Sequence, residues 1–305
     1  MEFEITIQGP RTAVGALLPR LKGTSVPMDV THGGNDLEQG EVKIVVVLSG
    51  EDRLNAVLSS FSLLISEMDR EPHLTDQLHM RVRNLAYSEP PSGSDRFLDP
   101  FQPIPSLIVQ PWSPALKTQV NAHTVLLDPQ HAFGTGKHPT TRLCLQAIHT
   151  LAREDARSRK FHLWNVLDFG CGTALLAIAA VKLGARSAVG VEIDSDAVRT
   201  ARSNALLNGL SDRIDIKQGS WESVHGRYDL ILANLVLSSL LRVGTRIPDY
   251  LAEHGLTVVS GFGINQIPDV KARLSDVGLT TCRQLTSDGW GVLVLTKKKD
   301  INVLA

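Results

Sequence analysis

Apolar and polar residues alternate with two different periods along this chain, and the order of those periods sets the expected fold. In the first 88 residues, Phe3, Ile5 and Ile7 alternate with polar positions as in a half-buried strand, and 13–21 reads as a short helix. Strands follow at 27–32 and, after a turn rich in Gly, Asn and Asp, at 41–48 with its β-branched run. Leu54, Val57, Leu58, Phe61, Leu64 and Ile65 recur at helical spacing, and 77–86 alternates again as a last strand. The predicted order βαββαβ is that of a small α+β ferredoxin-like domain. At 88–95 two prolines among small polar residues predict an exposed hinge.

From residue 161 onward the periods change places with almost no loop between them. Strands are expected at 163–169, 187–192, 213–218, 228–234 and 255–260, with helices at 173–184, 195–208, up to about 252, and 264–277. That alternation predicts an α/β doubly wound parallel sheet. Two closing strands near 279–285 and 290–296 are separated by only Ser-Asp-Gly, too short for a helical crossover, so the last strand is expected to run antiparallel.

Composition narrows the classes. The 305 residues are 43% hydrophobic and 21% charged, enough for a sizeable core and, at roughly 150 residues per domain, two units. Thirty-one basic against 32 acidic side chains leave a net charge of −1, so no direct nucleic-acid binding is expected. The longest apolar stretch, 174–181, falls far short of the roughly 20 residues that span a bilayer, and no membrane partner is expected. Acidic residues at the start speak against an export signal, and three widely spaced cysteines form neither a disulfide framework nor a zinc pattern. The expectation is a cytoplasmic protein without a metal; His123, His131 and His138 read as loop and capping residues, and Cys171 as a small buried one.

The sharpest chemical signal is Val-Leu-Asp-Phe-Gly-Cys-Gly-Thr-Ala at 166–174, a strand entering a Gly-x-Gly turn at the start of a helix, where backbone amides face a ligand. The dinucleotide fingerprint requires a third small residue where Leu175 stands, which weakens a nicotinamide reading. Asp168 beside the turn would repel a pyrophosphate, yet could hold the ammonium of an amino-acid tail. S-adenosylmethionine has such a tail and no phosphate. The acid that binds ribose hydroxyls about 20 residues on is Glu192, with Asp194 as the alternative. After the third strand, Ser220 and Trp221 could flank the adenine, although a lone Trp is more often packing.

The segment 128–145, Asp-Pro-Gln-His-Ala-Phe-Gly-Thr-Gly-Lys-His-Pro-Thr-Thr-Arg-Leu-Cys-Leu, stands upstream of that turn, and Leu-Ala-Asn-Leu follows at 232–235. Together with Pro-Phe-Gln-Pro-Ile and Val-Gln-Pro-Trp near 100–112, they resemble the PrmA family, methyltransferases of ribosomal protein L11. The resemblance implies a class I S-adenosylmethionine methyltransferase core at 161–305, preceded by a ferredoxin-like substrate-recognition domain at 1–88. A linker and pre-core segment carrying the Gly-Thr-Gly loop lies between them, at 89–160. It further implies that Phe133, Thr135, Gly136 and Thr141 line the cofactor, that Gly170 and Gly172 form its floor, that Glu192 grips the ribose, and that Asn234 sits beside the transferable methyl. An Asn at a strand end in the cleft can accept a hydrogen bond from an amine and aim its lone pair.

Three positions depart from the family pattern. Ala174 replaces a glycine, Glu192 stands where Asp is usual, and Lys137 replaces a small hydroxyl residue. The expected activity is transfer of a methyl group to amino groups, lysine side chains or an N-terminal amine, of a ribosomal protein, L11 by resemblance. Methylation of another protein or a small amine, and a non-catalytic cofactor binder, are the competing readings.

Overall fold

The structure is a computed structural model and describes residues 2–10, 14, 31–32, 41–49, 79–84, 100–112, 122–130, 132, 134–155, 161–298 and 300. The chain divides into two compact units, Met1–Ser92 with His131–Phe133, and Gly93–Gln130 with Gly134–Ala305.

In the first unit, β1 (Glu2–Pro10), β2 (Thr31–His32), β3 (Glu41–Ser49) and β4 (His79–Asn84) form one sheet in the order β2-β3-β1-β4. Every pairing is antiparallel, with β1 at the centre flanked by β3 and β4. Ile5 and Ile7 on β1 and Val46 on β3 are buried, while Val47 is exposed, as the two-residue period requires. This is the order that a split βαβ chain gives its four strands. The helices expected at 13–21 and 52–68 lie outside the described residues, apart from Val14, which is helical and buried.

The second unit opens with a small sheet of β5 (Phe101–Ile104), β6 (Leu107–Pro111) and β7 (Thr124–Leu127), in which β5–β6 is antiparallel and β6–β7 parallel. Helix α1 (Pro139–Asp155) follows, with proline at its first position where the missing N–H costs nothing. The large sheet then builds from β8 (Asn165–Phe169), β9 (Ser187–Glu192), β10 (Ile214–Gln218), β11 (Tyr228–Asn234), β12 (Leu251–Gly263), β13 (Leu279–Ser287) and β14 (Trp290–Lys297). Its order is β10-β9-β8-β11-β12-β14-β13. Only β14 runs antiparallel, inserted between β12 and β13. Its turn explains why: Asp288 and Gly289 both have positive φ (50° and 81°), the left-handed pair of a two-residue hairpin.

Helices α2 (Leu175–Lys182), α3 (Ser195–Leu207), α4 (Leu237–Gly244), α5 (Ile247–Tyr250) and α6 (Ile267–Asp276) connect the strands. Residues of α2 are buried from 175 to 181, which is why that stretch is the longest apolar run in the sequence. The expected helix reaching 252 is instead two short helices, and the strand begins at Leu251; Pro248 opens a new helix and the chain is extended immediately after Tyr250. The helix expected from 264 begins as a single 3-10 turn, Ile264–Gln266, before α6. Since β8 and β11 lie at the middle of the sheet with layers on both faces, their sequences are near-continuously apolar rather than alternating.

Candidate active site

The strand ends of β8, β9 and β11 converge at the carboxyl edge of the sheet, beside the reversal of strand order where open α/β sheets bind ligands. The turn after β8 is strapped to β9: the N–H groups of Gly170 and Cys171 both donate to the Val191 carbonyl, at 2.8 and 3.1 Å. Gly170 has φ +73°, and a Cβ there would run into the Leu235 side chain, so this position requires glycine. Gly172 (φ +51°) donates its N–H to Glu192 Oε2 at 3.0 Å. Ala174 also lies in the left-handed region, φ 62° and ψ 19°, wholly buried at the N-cap of α2. Its departure from glycine therefore costs backbone strain in addition to one methyl group.

Glu192 receives three backbone N–H groups, from Gly172 on Oε2 and from Ile193 (2.8 Å) and Asp194 (3.2 Å) on Oε1. Burial pushes its carboxyl above the usual carboxylate range, aided by Asp194 and opposed by those hydrogen bonds. Asp194 is engaged elsewhere, capping α3 by accepting from the Asp196 N–H at 2.8 Å. Of the two candidate acids, Glu192 therefore presents its carboxylate to the turn and Asp194 to a helix end.

Asp168 is 2% exposed, and its Oδ2 accepts from the Ala177 N–H in the first turn of α2 at 3.0 Å. It braces the turn from behind. Burial raises its pKa to about 7 against that hydrogen bond, with a smaller push from Glu192.

The Gly-Thr-Gly loop is tied to the same turn by a side chain. Thr173 Oγ1 donates to the Gly134 carbonyl at 2.7 Å, and Gly134 (φ +109°) lies so near that a Cβ would stand 2.9 Å from that oxygen. Gly136 (φ +86°) is confined between Leu175 and Phe101. Thr135 Oγ1 accepts from the Lys137 N–H at 3.5 Å. Phe133 lies outside the described residues.

Asn234 ends β11, half-buried, and its Nδ2 donates to Thr141 Oγ1 at 3.3 Å; Thr141, in the first turn of α1, is 2% exposed. The expected site residues of the loop and of the fourth strand thus meet in one hydrogen bond. Ser220, beyond the end of β10, is brought beside Glu192 because the Gly219 N–H donates to the Glu192 carbonyl at 2.9 Å. Trp221 does not face that cleft. It is 5% exposed, stacked on Tyr250 (4.6 Å, 16°) and tilted against Phe169 (4.2 Å, 32°), and so it belongs to the core.

At this edge one residue carried no signal in the sequence, Ile193, and another, His138, was expected only in a loop or capping role. Ile193, between the two acids, is 63% exposed, an apolar surface beside Glu192. His138 caps α1: its Nδ1 accepts from the Thr140 N–H (3.3 Å) and lies 2.7 Å from Thr140 Oγ1, with the ring edge-on to Trp290 (4.9 Å). Burial lowers its pKa to about 4, so the ring is neutral at physiological pH.

A family model described as ribosomal protein L11 methyltransferase (PrmA) matches residues 18–298. The ribosomal protein L11 methyltransferase of Geobacter metallireducens is 29% identical over 302 residues, covering 95% of this chain and 96% of that protein. Its counterpart in Geobacter sulfurreducens is 36% identical over 189 residues, 62% of this chain and 59% of the relative; the match to the Tolumonas auensis protein spans 48% of that relative. A crystal structure described as ribosomal protein L11 methylase from Lactobacillus delbrueckii subsp. bulgaricus aligns with a TM-score of 0.55 at 29% identity, covering 66% of this chain and all of that one.

Proposed function

The chain belongs to the ribosomal protein L11 methyltransferase (PrmA) family, and from that premise we propose that it methylates amino groups of ribosomal protein L11 with S-adenosylmethionine as donor. The observation that carries this reading is the joining of the Gly170–Gly172 turn, Glu192 and Asn234 at one sheet edge. The donor set suits a nucleoside with an amino-acid tail and no phosphate. Glu192, with three of its about four lone-pair sites taken by backbone N–H groups, keeps one on Oε2 for a ribose hydroxyl, the exposed Ile193 offers an apolar face to a purine, and the bare turn admits the backbone of the tail. Ser220, Thr135, Gly136 and Phe133 complete the lining in this reading.

When bound, the cofactor supplies a sulfonium methyl with an excellent leaving group, so the protein's share of the work is alignment and exclusion of water. Asn234, held by Thr141, accepts a hydrogen bond from the incoming amine through Oδ1 and fixes its line of approach. An amide cannot take a proton, and His138, with its pKa near 4, is too weak a base to hold one at neutral pH. The amine therefore enters neutral, favoured by desolvation against its ordinary pKa of about 10.4.

The test is incubation of the protein with labelled S-adenosylmethionine and purified ribosomal protein L11, followed by mass mapping. Label on lysines or the N-terminal amine of L11 is expected. An unlabelled L11 alongside tight binding of S-adenosylhomocysteine would reject the substrate, and label in another acceptor would name its replacement.

A further inference from the structure

Helix α3 carries a polar stripe on its buried face. Thr200, Asn204 and Asn208 recur every four residues and are 2%, 0% and 3% exposed, among Ala197, Val198, Ala201 and Ala205. Buried amides need partners, and here they find them in a chain segment 76 to 82 residues away.

Asn208 Oδ1 accepts from the Leu126 N–H (3.0 Å) and its Nδ2 donates to the Leu126 carbonyl (2.7 Å). Asn204 repeats the arrangement one turn earlier, with Oδ1 accepting from the Asp128 N–H (2.9 Å) and Nδ2 donating to the Asp128 carbonyl (3.0 Å). One turn earlier again, Thr200 Oγ1 reaches the Gln130 side chain at 3.2 Å. The partners thus advance by two residues, 126, 128 and 130, while the stripe advances by four. Four helical residues rise about 6.0 Å and two extended residues about 6.6 Å, so the two repeats stay in register over the two steps from Asn208 to Thr200. The asparagine amides act as a surrogate strand on the edge of β7 that β6 leaves uncovered.

Asn204 differs from Asn208 in one respect. Its Nδ2 also donates to the Thr173 carbonyl at 3.1 Å, and Thr173 Oγ1 in turn donates to the Gly134 carbonyl. The same helix begins directly after Glu192 and its N-cap Asp194. We propose that α3 is a ruler between the two halves of the ligand site. In this role Asn204 and Thr173 are positioning residues: through their hydrogen bonds they set the Gly-Thr-Gly loop against the Gly170–Gly172 turn and so set affinity for the cofactor. Asn208 secures β7 and donates to the Asn204 carbonyl at 2.8 Å, with no hydrogen bond of its own to the turn or the loop. The inference rests on the S-adenosylmethionine reading for its ligand, and its geometry is independent of it.

Three single variants of the full chain separate the roles: Thr173→Val, Asn204→Leu and Asn208→Leu. Amide exchange over residues 134–138 in the protein without ligand, calorimetric titration with S-adenosylhomocysteine, and thermal melts are measured on each. Thr173→Val, which also removes the acceptor of the Leu175 N–H at 3.4 Å, is expected to speed exchange at 134–138 and weaken S-adenosylhomocysteine, each by about tenfold, the scale of one buried hydrogen bond, with a smaller fall in Tm than either asparagine variant. Asn204→Leu is expected to do both and also lower Tm. Asn208→Leu is expected to lower Tm with affinity within about twofold of the parent.

Wild-type exchange and affinity in Thr173→Val would overturn the proposal, as would equal loss of affinity in both asparagine variants. Should Asn204→Leu fail to fold, Thr173→Val and Asn208→Leu still decide. If the parent protein itself does not bind S-adenosylhomocysteine, the cofactor reading falls and the exchange measurement alone judges the ruler.

Discussion

The two halves of the candidate site are held in opposite ways. The turn after β8 is held by its own neighbourhood: backbone N–H groups of Gly170 and Cys171 on the adjacent β9, and Glu192 at the end of that strand. The segment from Asp128 to Thr141 is held by side chains reaching from distant elements, namely Asn204, Thr173 and Asn234. A turn tied mainly by backbone groups tolerates side-chain change as long as its dihedrals and the Glu192 acceptor are kept. A segment tied by side chains can be released one bond at a time, which makes it the adjustable half of the site.

The largest expected effect falls on the side-chain-held half. Asn234→Ala removes both the amide proposed to align the amine and the tie to Thr141, and is expected to lower kcat by about 10²-fold, the scale of a misplacement of about 1 Å. Cofactor affinity should stay mostly in place. Single-turnover transfer and equilibrium binding on the same variant check this, and parallel losses in both would move Asn234 from alignment to cofactor holding.

In the backbone-held half, Glu192→Ala is expected to weaken S-adenosylmethionine by about 1.5–3 kcal/mol, since in the proposed reading a ribose hydroxyl loses its acceptor, and three backbone N–H groups lose theirs. Calorimetry reads the effect directly, and unchanged affinity would take Glu192 out of the site.

Asp168 should make the same half pH-sensitive. Its folded pKa of about 7 stands above the ordinary value of 3.8, so its contribution to stability is complete below that ordinary value and is lost as pH rises through 7. Asp168→Asn should flatten the stability profile between pH 5 and 8 and gain about 1–2 kcal/mol at the upper end. Urea melts at the two pH values test it; profiles that remain parallel would contradict the assignment.

The smallest effect is expected at Ala174→Gly. Glycine adopts φ 62° without the Cβ penalty that alanine carries, and the net gain after losing a buried methyl is about 0.5 kcal/mol, a rise in Tm of a degree or two. Cofactor affinity is expected to be equal or better. A fall in both would show that the methyl packs productively against the turn.

Much of the backbone-held half was legible in advance, because its signals are local. A strand running into Gly-x-Gly and an acid at the end of the next strand are each written within a few consecutive residues. The same holds for the antiparallel strand, since Ser-Asp-Gly leaves no room for a crossover. The other half was legible as a Gly-Thr-Gly motif and no further. Nothing local marks Asn204 and Asn208 as partners of residues 126 and 128, His138 reads as a loop or capping residue without its partner, and Trp221 as a residue that either packing or a purine could claim.

Pattern and spacing in this chain therefore determined the order of elements, the strand that turns back and the places where a ligand meets bare backbone. Tertiary structure alone decided which buried amide pairs with which strand, that Trp221 stacks on Tyr250 inside the core, and that Asp168 faces a helix. The physical reason is distance along the chain. Dihedral preferences and period act over a few residues, whereas a hydrogen bond between residues 128 and 204 has no sequence signature until folding supplies the dry, close-packed surroundings in which leaving either group unpaired is costly.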